Sequence, residues 1–388
     1  MVLAGLLALH AGDPWRYLHD DNGRRYSSYA RTHLALGLRA TGGHDFFLDR
    51  RDGHLVPYGH HPPTLGVLLA GWFRLLGDDG PRTARALPAC FHLASALLLF
   101  AILRRLHPGP TGLVAALAFA VVPMSSYFGK MVNFEPLVLP FVIAAVVGWW
   151  RWAETGKGRA LVASAVAIVA GALVDWPMLL VPVVLLADGL RRARRGEGGR
   201  FVRAGVALAI GSALVGLAIA AWASAPVGGT ELGRAFSFRA RIHGQYPWWR
   251  LVGNLVEYNR RYFTEPVFAA SLVAAWLLVR AAWRDGRLAP RERLLALFGA
   301  VGLLPVVAFP TSARYHAYWQ FYLLPYATLS VAYVLEALES RVSPTARRLV
   351  YGVIVIGVLV SSGVTLAVRY GRPSGYVARQ VREFANYL

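Results

Sequence analysis

Long apolar runs without a charged residue recur along the whole chain. Four of them reach the roughly 20 residues that a helix needs to cross a bilayer: 204–230, 294–313, 315–335 and 349–368. Two others, 86–103 and 111–129, are slightly shorter. Four more can cross if flanking Trp and Arg side chains reach the membrane interface, and these are 136–150, 160–174, 176–187 and 266–279. The pattern predicts an all-α polytopic membrane protein with about 10–11 transmembrane helices.

Residues 1–12 are apolar but too short to span a bilayer. We expect them to be either the end of a first helix whose start is missing or a short membrane anchor. No basic segment precedes them, so they lack the pattern of a secretory signal peptide.

Composition supports a membrane protein over other classes. Hydrophobic residues make up 56% of the 388 residues and charged residues only 16%, whereas soluble domains carry about 25% charged residues. The one cysteine, Cys90, excludes an internal disulfide and a metal site built from several cysteines. The net charge of +20 comes almost entirely from arginine, because lysine occurs only at 130 and 157. These arginines lie between apolar runs, which favours topology signals and phosphate contacts over nucleic-acid binding.

The short connections differ in charge from one side to the other. Every second connection is basic, and together these five carry 19 basic against four acidic residues: 104–112, 151–159, 191–203, 280–293 and 341–348. By the positive-inside rule they face the cytoplasm. We therefore predict a multi-pass protein of the plasma (inner) membrane whose other connections, which carry nearly all of the candidate chemistry, are extracytoplasmic.

Two of the predicted external connections are long. The first, residues 13–77, contains an amphipathic stretch at 26–42 that we expect to lie along the membrane surface. The second covers residues 225–265. Nothing repeats at a fixed period and no stretch has the composition of a separate soluble domain, so the whole chain, 1–388, is predicted to be a single integral membrane domain.

Carboxylates stand at three external places next to apolar runs. Asp20 and Asp21 follow the first apolar end, Glu135 precedes the run 136–150, and Asp175 separates two runs. Paired carboxylates can take a proton from a hydroxyl acceptor or hold a divalent cation. The structural alternatives are a solvated Asp-Asn-Gly turn and helix caps at the membrane edge. A carboxylate this close to hydrocarbon is costly, which makes Asp175 a candidate substrate-binding residue.

Basic and imidazole side chains gather on the same predicted face. His60 and His61 precede a Pro-Pro pair, and they can bind a phosphate when protonated or a metal ion when neutral. Arg239, Arg241 and His243 alternate, which in an extended segment brings them to one side, where they could share one anion. The structural alternatives are an interfacial cap for the histidines and contacts between the arginines and lipid headgroups.

Four further residues complete the candidates. Lys130 lies between two spans, Arg314 and His316 lie in a tight external turn, and Trp248 suits either the membrane interface or the face of a sugar. An aromatic belt with arginines that reach lipid headgroups is the structural alternative here as well.

Taken together, these motifs resemble GT-C fold glycosyltransferases, and in particular the protein O-mannosyltransferase and aminoarabinose-transferase group, glycosyltransferase family 39. The matching motifs are His19-Asp20-Asp21-Asn22, His60-His61-Pro62-Pro63 with Gly66, the Thr-Ala-Arg-Ala-Leu-Pro stretch that begins at Thr83, Asn133-Phe-Glu-Pro-Leu, and His316-Ala-Tyr-Trp. The similarity covers residues 13–150 well and the remainder mainly in its pattern of spans.

The resemblance implies an enzyme that moves a sugar from a polyprenyl-phosphate donor to a hydroxyl of a lipid, a glycan or a protein. Transfer would occur on the external side with inversion and without a nucleotide sugar. Asp20 or Asp21 is then the base, and Glu135 is a second site carboxylate. No cofactor is required, and a divalent metal ion is optional, with His60 as its candidate ligand.

The resemblance also implies that basic residues of the external loops hold the donor phosphate. The candidates are His61, Lys130, Arg239, Arg241, His243 and Arg314, and further substrate contacts are expected from Asp175, Trp248 and His316. The aminoarabinose group has an acid–Lys pair before Pro-Pro, where this chain has His60-His61, so Lys130, Arg239 or Arg241 is expected to supply the phosphate contact. The first helix is shorter than in the family, as expected for a clipped or mis-started N terminus.

A transporter or flippase for a lipid-linked sugar is the alternative function. It would use the same basic external face, but it would also need ionisable residues along a path through the spans. The central parts of the apolar runs are nearly free of such residues, with His92 as the exception. This favours an enzyme that works at one face of the membrane.

Overall fold

The computed structural model describes residues 1–48, 54–241, 247–339 and 341–372, and the regular structure there is almost entirely helical. In chain order the α-helices are α1 (Val2–Ala8), α2 (Asp20–Leu36), α3 (Leu38–Thr41), α4 (Thr64–Leu76), α5 (Pro81–Leu106), α6 (Pro110–Val121), α7 (Pro123–Ser126), α8 (Phe134–Thr155), α9 (Gly158–Val174), α10 (Val181–Arg194), α11 (Arg200–Ser224), α12 (Gly229–Ala240), α13 (Trp248–Phe263), α14 (Glu265–Arg284), α15 (Pro290–Ala308), α16 (Pro310–Tyr315), α17 (Leu324–Glu339) and α18 (Pro344–Gly371). Short 3-10 helices lie at Phe128–Lys130, Trp176–Leu180 and Ala317–Leu323. Strands β1 (Phe46–Leu48) and β2 (Leu55–Pro57) form an antiparallel pair in which Phe46 lies opposite Pro57.

The apolar runs form the helices that the sequence predicts. In the described chain, six helices are long and apolar enough to cross a membrane: α5, α8, α11, α14, the continuous helix Ala317–Glu339, and α18. A seventh is added if α6 and the following segment to Lys130, bent by 50° at Pro123, are one broken span. The other predicted runs are helical too, but they are shorter or begin with charged residues, so fewer than ten meet both limits. The all-α membrane fold is confirmed.

Helix α8 lies at the centre of the bundle. It packs against α5, α9 and α15, and 72% of its most apolar 18-residue window is buried. Gly148 allows α9 to approach closely, because a Cβ atom there would lie 2.8 Å from the carbonyl oxygen of Ala160. Ser164 of α9 donates a hydrogen bond to the carbonyl of Ala145, 2.8 Å away. The two helices therefore have a fixed register.

The basic connections lie together at one end of the bundle. The guanidinium of Arg192, whose side chain is 4% exposed, pairs with Asp188, Glu154 and Glu197 at 3.1, 2.8 and 3.0 Å. Arg293 also bonds to Glu154, at 2.8 Å. Connections 151–159, 191–203 and 280–293 thus meet each other. Helix α8 has 22 residues, so this end lies about 33 Å from the other end, which carries Glu135 in the first turn of the helix.

Helix α2 covers most of the stretch predicted to lie on the membrane surface, but one face of it is buried. It begins at Asp20, before the amphipathic stretch, and packs against α4. Tyr26, Tyr29 and Ala30 are buried, whereas Leu34 and Leu36 are exposed. This helix therefore forms a wall of the protein core as well as part of its surface.

Candidate active site

A group of buried polar side chains from the predicted external segments meets around the start of α8. Glu135, in the first turn of α8, is 4% exposed, and its Oε2 atom has no hydrogen-bond partner among the described residues. Asp175, at the end of α9, is 2% exposed and accepts a 2.5 Å hydrogen bond from the hydroxyl of Tyr322. His61 Nδ1 lies 3.5 Å from the other oxygen of Asp175. On the far side of the imidazole, Arg239 Nη2 lies 3.3 Å from Nε2.

His61 is held in this group by stacking as well as by polar contacts. Its ring lies parallel to that of Phe134, at 4.4 Å between centroids and 12° between planes. The carbonyl of the preceding residue, His60, accepts hydrogen bonds from the indole of Trp176 at 3.1 Å and from Arg239 Nη1 at 3.4 Å. Burial lowers the pKa of His61 to about 4, so this imidazole is neutral at physiological pH.

The neighbouring carboxylates Asp20 and Asp21 have different surroundings. Asp20 accepts hydrogen bonds from the backbone N–H groups of Arg16 and Tyr17, at 3.0 and 2.8 Å, and from Arg85 Nη2 at 3.0 Å. The guanidinium of Arg85 is buried, donates to the carbonyls of Ala11 and Asp13, and stacks on Trp15. Asp20 therefore joins α5 to the first loop.

Asp21 has different electrostatic surroundings. Partial burial raises the pKa of its carboxyl, while the nearby charge of Arg25 opposes this shift. Its charge acts on the hydroxyl of Tyr318, which also hydrogen-bonds with the side chain of Asn22 and is influenced by Glu135. Asp21 is thus the member of the pair that shares an environment with Glu135.

Two further imidazoles lie beside Tyr318. The ring of His316 stacks on it at 4.9 Å, and the ring of His19 meets it edge-on at 4.8 Å. His19 has a left-handed backbone, with φ of 67°, as the residue before α2. Burial lowers the pKa of His19 to about 3 and that of His316 to about 4.

A surface cavity of about 400 Å³ opens next to this group. Its lining combines two arginines, two histidines, three hydroxyl side chains and two apolar residues: His60, Arg234, Ala235, Phe238, Arg239, Thr311, Ser312, Tyr315 and His316. Such a set of donors, with apolar side chains beside it, can hold the phosphate of a lipid. Three of the predicted site residues, His60, Arg239 and His316, line this cavity.

The structure differs from the extended segment predicted for the alternating basic residues. Arg239 belongs to helix α12, and only Arg241, just after the helix, has an extended backbone. The two side chains therefore do not share a face by strand alternation. The carbonyl of Arg241 accepts a hydrogen bond from Thr311, while its side chain is exposed. His243 lies outside the described residues.

The remaining candidates lie away from the buried group. Lys130 donates to the carbonyl of Leu9, and its ammonium lies 4.9 Å from the ring centre of Tyr370. Arg314 stacks on Tyr315 at 4.7 Å. Trp248, at the start of α13, is 68% exposed. In the described chain, no group of three or more His, Cys, Asp or Glu side chains is arranged to hold a metal ion.

Several site residues have no signal in the sequence. Tyr318 and Tyr322 lie inside an apolar run, where a hydroxyl does not stand out, and Arg25 looks like any surface charge. Arg234 could have been found from its helical spacing, since 234, 235, 238 and 239 share one face of a helix. The extended backbone predicted around Arg239 is incompatible with this helical spacing.

The family described as Dolichyl-phosphate-mannose-protein mannosyltransferase matches residues 60–220. No curated protein matches the sequence. Among solved structures, ArnT from Cupriavidus metallidurans bound to undecaprenyl phosphate superposes with a TM-score of 0.60 at 17% identity, over 89% of this chain and 60% of that one.

Structures from an archaeon are similar in fold as well. The Archaeoglobus fulgidus oligosaccharyltransferase AglB in complex with an inhibitory peptide and a dolichol-phosphate gives a TM-score of 0.60 at 11% identity, over 96% of this chain and 56% of that one. The same oligosaccharyltransferase in complex with Zn and sulfate gives 0.61 at 11% identity, over 97% and 53%. The chain thus spans between about half and three fifths of the length of these proteins. The chain has the GT-C glycosyltransferase fold, and its predicted resemblance to the family 39 group is confirmed.

Proposed function

We propose that this chain is a membrane glycosyltransferase that moves a sugar from a polyprenyl-phosphate donor to a hydroxyl acceptor on the extracytoplasmic face. The family match over residues 60–220 and the fold shared with ArnT and AglB support this class of reaction. Those two structures contain undecaprenyl phosphate and dolichol-phosphate. The basic connections at the opposite end of the bundle support an extracytoplasmic site.

The observation that carries the proposal is that a partly buried carboxylate and a basic cavity lie at the same end of the bundle. Asp21 shares its environment with Tyr318, which stacks on His316 at the cavity wall. Arg234 and Arg239 line that same cavity. In this proposal the base and the phosphate site act on one substrate.

In the proposed reaction, Asp21 takes the proton from the acceptor hydroxyl as its oxygen attacks the anomeric carbon. A new bond forms between that oxygen and the carbon, and the bond from the carbon to the phosphate oxygen breaks. The electron pair leaves with the polyprenyl phosphate. The raised pKa of Asp21 makes its carboxylate a stronger base, and the inverted glycoside is the product.

Arg234 and Arg239 stabilise the negative charge that develops on the leaving phosphate. A guanidinium stays protonated and can make two parallel hydrogen bonds to phosphate oxygens. His60 and His316 complete the cavity wall. Glu135 is a second carboxylate near the acceptor side, because its charge acts on Tyr318 as that of Asp21 does. Asp20 supports the site indirectly through its ion pair with Arg85.

The test uses the full chain reconstituted in liposomes with a panel of undecaprenyl-phosphate-linked pentoses and hexoses and a cell-envelope extract as acceptor. Release of undecaprenyl phosphate, followed by mass spectrometry, reports transfer whatever the acceptor is. We expect release from at least one donor, and its loss in Asp21→Asn. Movement of the intact lipid-linked sugar across the bilayer, without release, would instead establish the flippase alternative.

A further inference from the structure

The side chains of Tyr322, Asp175, His61 and Arg239 form a continuous chain of polar contacts. The hydrogen bond from Tyr322 to Asp175 is 2.5 Å long and that from Arg239 to His61 is 3.3 Å. Between them, His61 Nδ1 lies 3.5 Å from Asp175 Oδ1, an electrostatic contact without hydrogen-bond geometry. The contacts link the 3-10 helix Ala317–Leu323, the end of α9, the segment before α4 and helix α12. A series of contacts across four elements that are distant in sequence therefore ends at the guanidinium of Arg239.

The direction of the two hydrogen bonds, and the tautomer of His61 that lies between them, follow from the chemistry of the groups. A guanidinium only donates, so His61 Nε2 accepts from Arg239. A neutral imidazole carries its one proton on the other nitrogen, which places it on Nδ1, facing Asp175. The second oxygen of Asp175 accepts from the hydroxyl of Tyr322. One tautomer of His61 therefore accepts the hydrogen bond from Arg239 and turns its N–H towards Asp175, with which it makes an electrostatic contact at 3.5 Å.

We propose that Asp175 and Tyr322 are positioning residues that act through His61 to orient Arg239 for the donor phosphate. This inference rests on the proposed function, in which Arg239 binds that phosphate. It gives Asp175 a different role from the substrate contact expected from the sequence. Asp175 is 2% exposed and does not line the cavity, so its influence on a substrate passes through another residue.

The orientation of the Arg239 side chain matters because this long side chain, which belongs to helix α12, lines the cavity. Fixing such a side chain on binding costs conformational entropy. His61 holds Nη2 and the carbonyl of His60 holds Nη1 before any ligand arrives. A guanidinium has five N–H donors, so others stay available to an anion. Preorganisation of this kind raises affinity without a new ligand contact.

Binding of undecaprenyl phosphate to the purified full chain in detergent micelles tests the inference, with the uncharged alcohol undecaprenol as the control lipid. We expect Asp175→Ala to weaken undecaprenyl phosphate binding about tenfold, or ~1.4 kcal/mol, and Tyr322→Phe to weaken it about threefold. Arg239→Lys loses the planar fork that His61 orients. In that background Asp175→Ala should have no further effect, because coupled residues are not additive.

Two substitutions at His61 separate positioning from a general structural role. The amide of Gln reaches the position of Nε2 and can still accept from Arg239, whereas the amide of Asn reaches only the position of Nδ1. His61→Asn should weaken binding at least as much as Asp175→Ala, because the acceptor for Arg239 is lost. His61→Gln keeps that acceptor but loses the contact with Asp175, so its loss should be smaller than that of His61→Asn, and Asp175→Ala should add nothing to it. The buried imidazole of His107 and the partly exposed carboxylate of Glu336 form a pair, 2.7 Å apart, at the opposite end. His107→Asn should lower stability and leave lipid binding unchanged.

The possible outcomes discriminate between the two proposals. If the wild-type chain binds undecaprenyl phosphate no more tightly than undecaprenol, the proposed function itself is wrong. If the wild type prefers the phosphate and Arg239→Lys weakens it, but Asp175→Ala adds its full effect to Arg239→Lys, the positioning role is wrong. If Asp175→Ala does not elute as a folded species, Tyr322→Phe and the two His61 variants decide, and equal losses in His61→Gln and His61→Asn would overturn the inference.

Discussion

Asp20→Asn and Asp21→Asn apply the same chemical change to neighbouring carboxylates, and we expect opposite consequences. Asp20 is bonded to two backbone N–H groups and to the buried guanidinium of Arg85. Asp21 shares the environment of Tyr318 and Glu135 and has a raised pKa. The first substitution should therefore reduce stability with little effect on turnover. The second should remove activity from a protein that remains folded.

The loss for Asp20→Asn can be estimated from the ion pair. The side chains of Arg85 and Asp20 are 4% and 14% exposed, with 3.0 Å between their charged atoms. Removing one partner of a buried pair destabilises by about 3–5 kcal/mol. Asn keeps an acceptor oxygen, and Arg85 keeps its bonds to the carbonyls of Ala11 and Asp13, so the expected loss is smaller, about 2 kcal/mol.

For Asp21→Asn we expect the opposite change in stability. Burial raises the pKa of Asp21 above its ordinary value of 3.8, so the ionised form is disfavoured in the folded protein. Stability is therefore lost as pH rises through the folded pKa, and the penalty is absent below 3.8. The Asn variant should be as stable as wild type or slightly more stable at pH 7, and this advantage should vanish at acid pH.

Both properties can be measured on the same preparations. The apparent melting temperature in detergent, followed by size-exclusion recovery of the folded protein, should fall by about 5 °C in Asp20→Asn and stay level or rise in Asp21→Asn. Release of undecaprenyl phosphate per folded molecule should fall about 10²–10⁴-fold in Asp21→Asn, the usual loss for a general base. A stable Asp20→Asn without activity, beside an active Asp21→Asn, would refute the assignment.

Two further predictions concern the sides of the membrane and the phosphate. In a Cys90→Ala background, cysteines introduced at Arg194 and Trp248 should react with an impermeant reagent from opposite sides of sealed vesicles, and labelling from one side would contradict the topology. Arg239→Lys should weaken binding of undecaprenyl phosphate about tenfold, because Lys cannot reproduce a bidentate contact. Arg241→Lys is the matched control, since Arg241 is exposed and does not line the cavity, and an equal loss there would indicate that only positive charge is needed.

Segments of the chain differ in how far their structure follows from local sequence. The spans follow from apolar length alone, which is why the predicted runs coincide with helices. The prediction for Arg239 was wrong about its backbone because alternation over a few positions fits a helix and a strand equally well. Helix α12 was decided by the packing of the whole segment against α11 and α16.

The sequence by itself therefore determined that this is an all-α membrane protein, and it grouped the acidic and basic residues at one predicted face. Bilayer thickness and the cost of burying charge act on each segment separately, so they can be recognised in one sequence. Only the tertiary structure decided which of two adjacent aspartates pairs with Arg85. Successive residues on a helix point about 100° apart, and Arg85, from a different helix, takes Asp20 as its partner. The contact of Asp175 with Tyr322 joins residues 147 positions apart, and such a contact exists only because the bundle closes around α8.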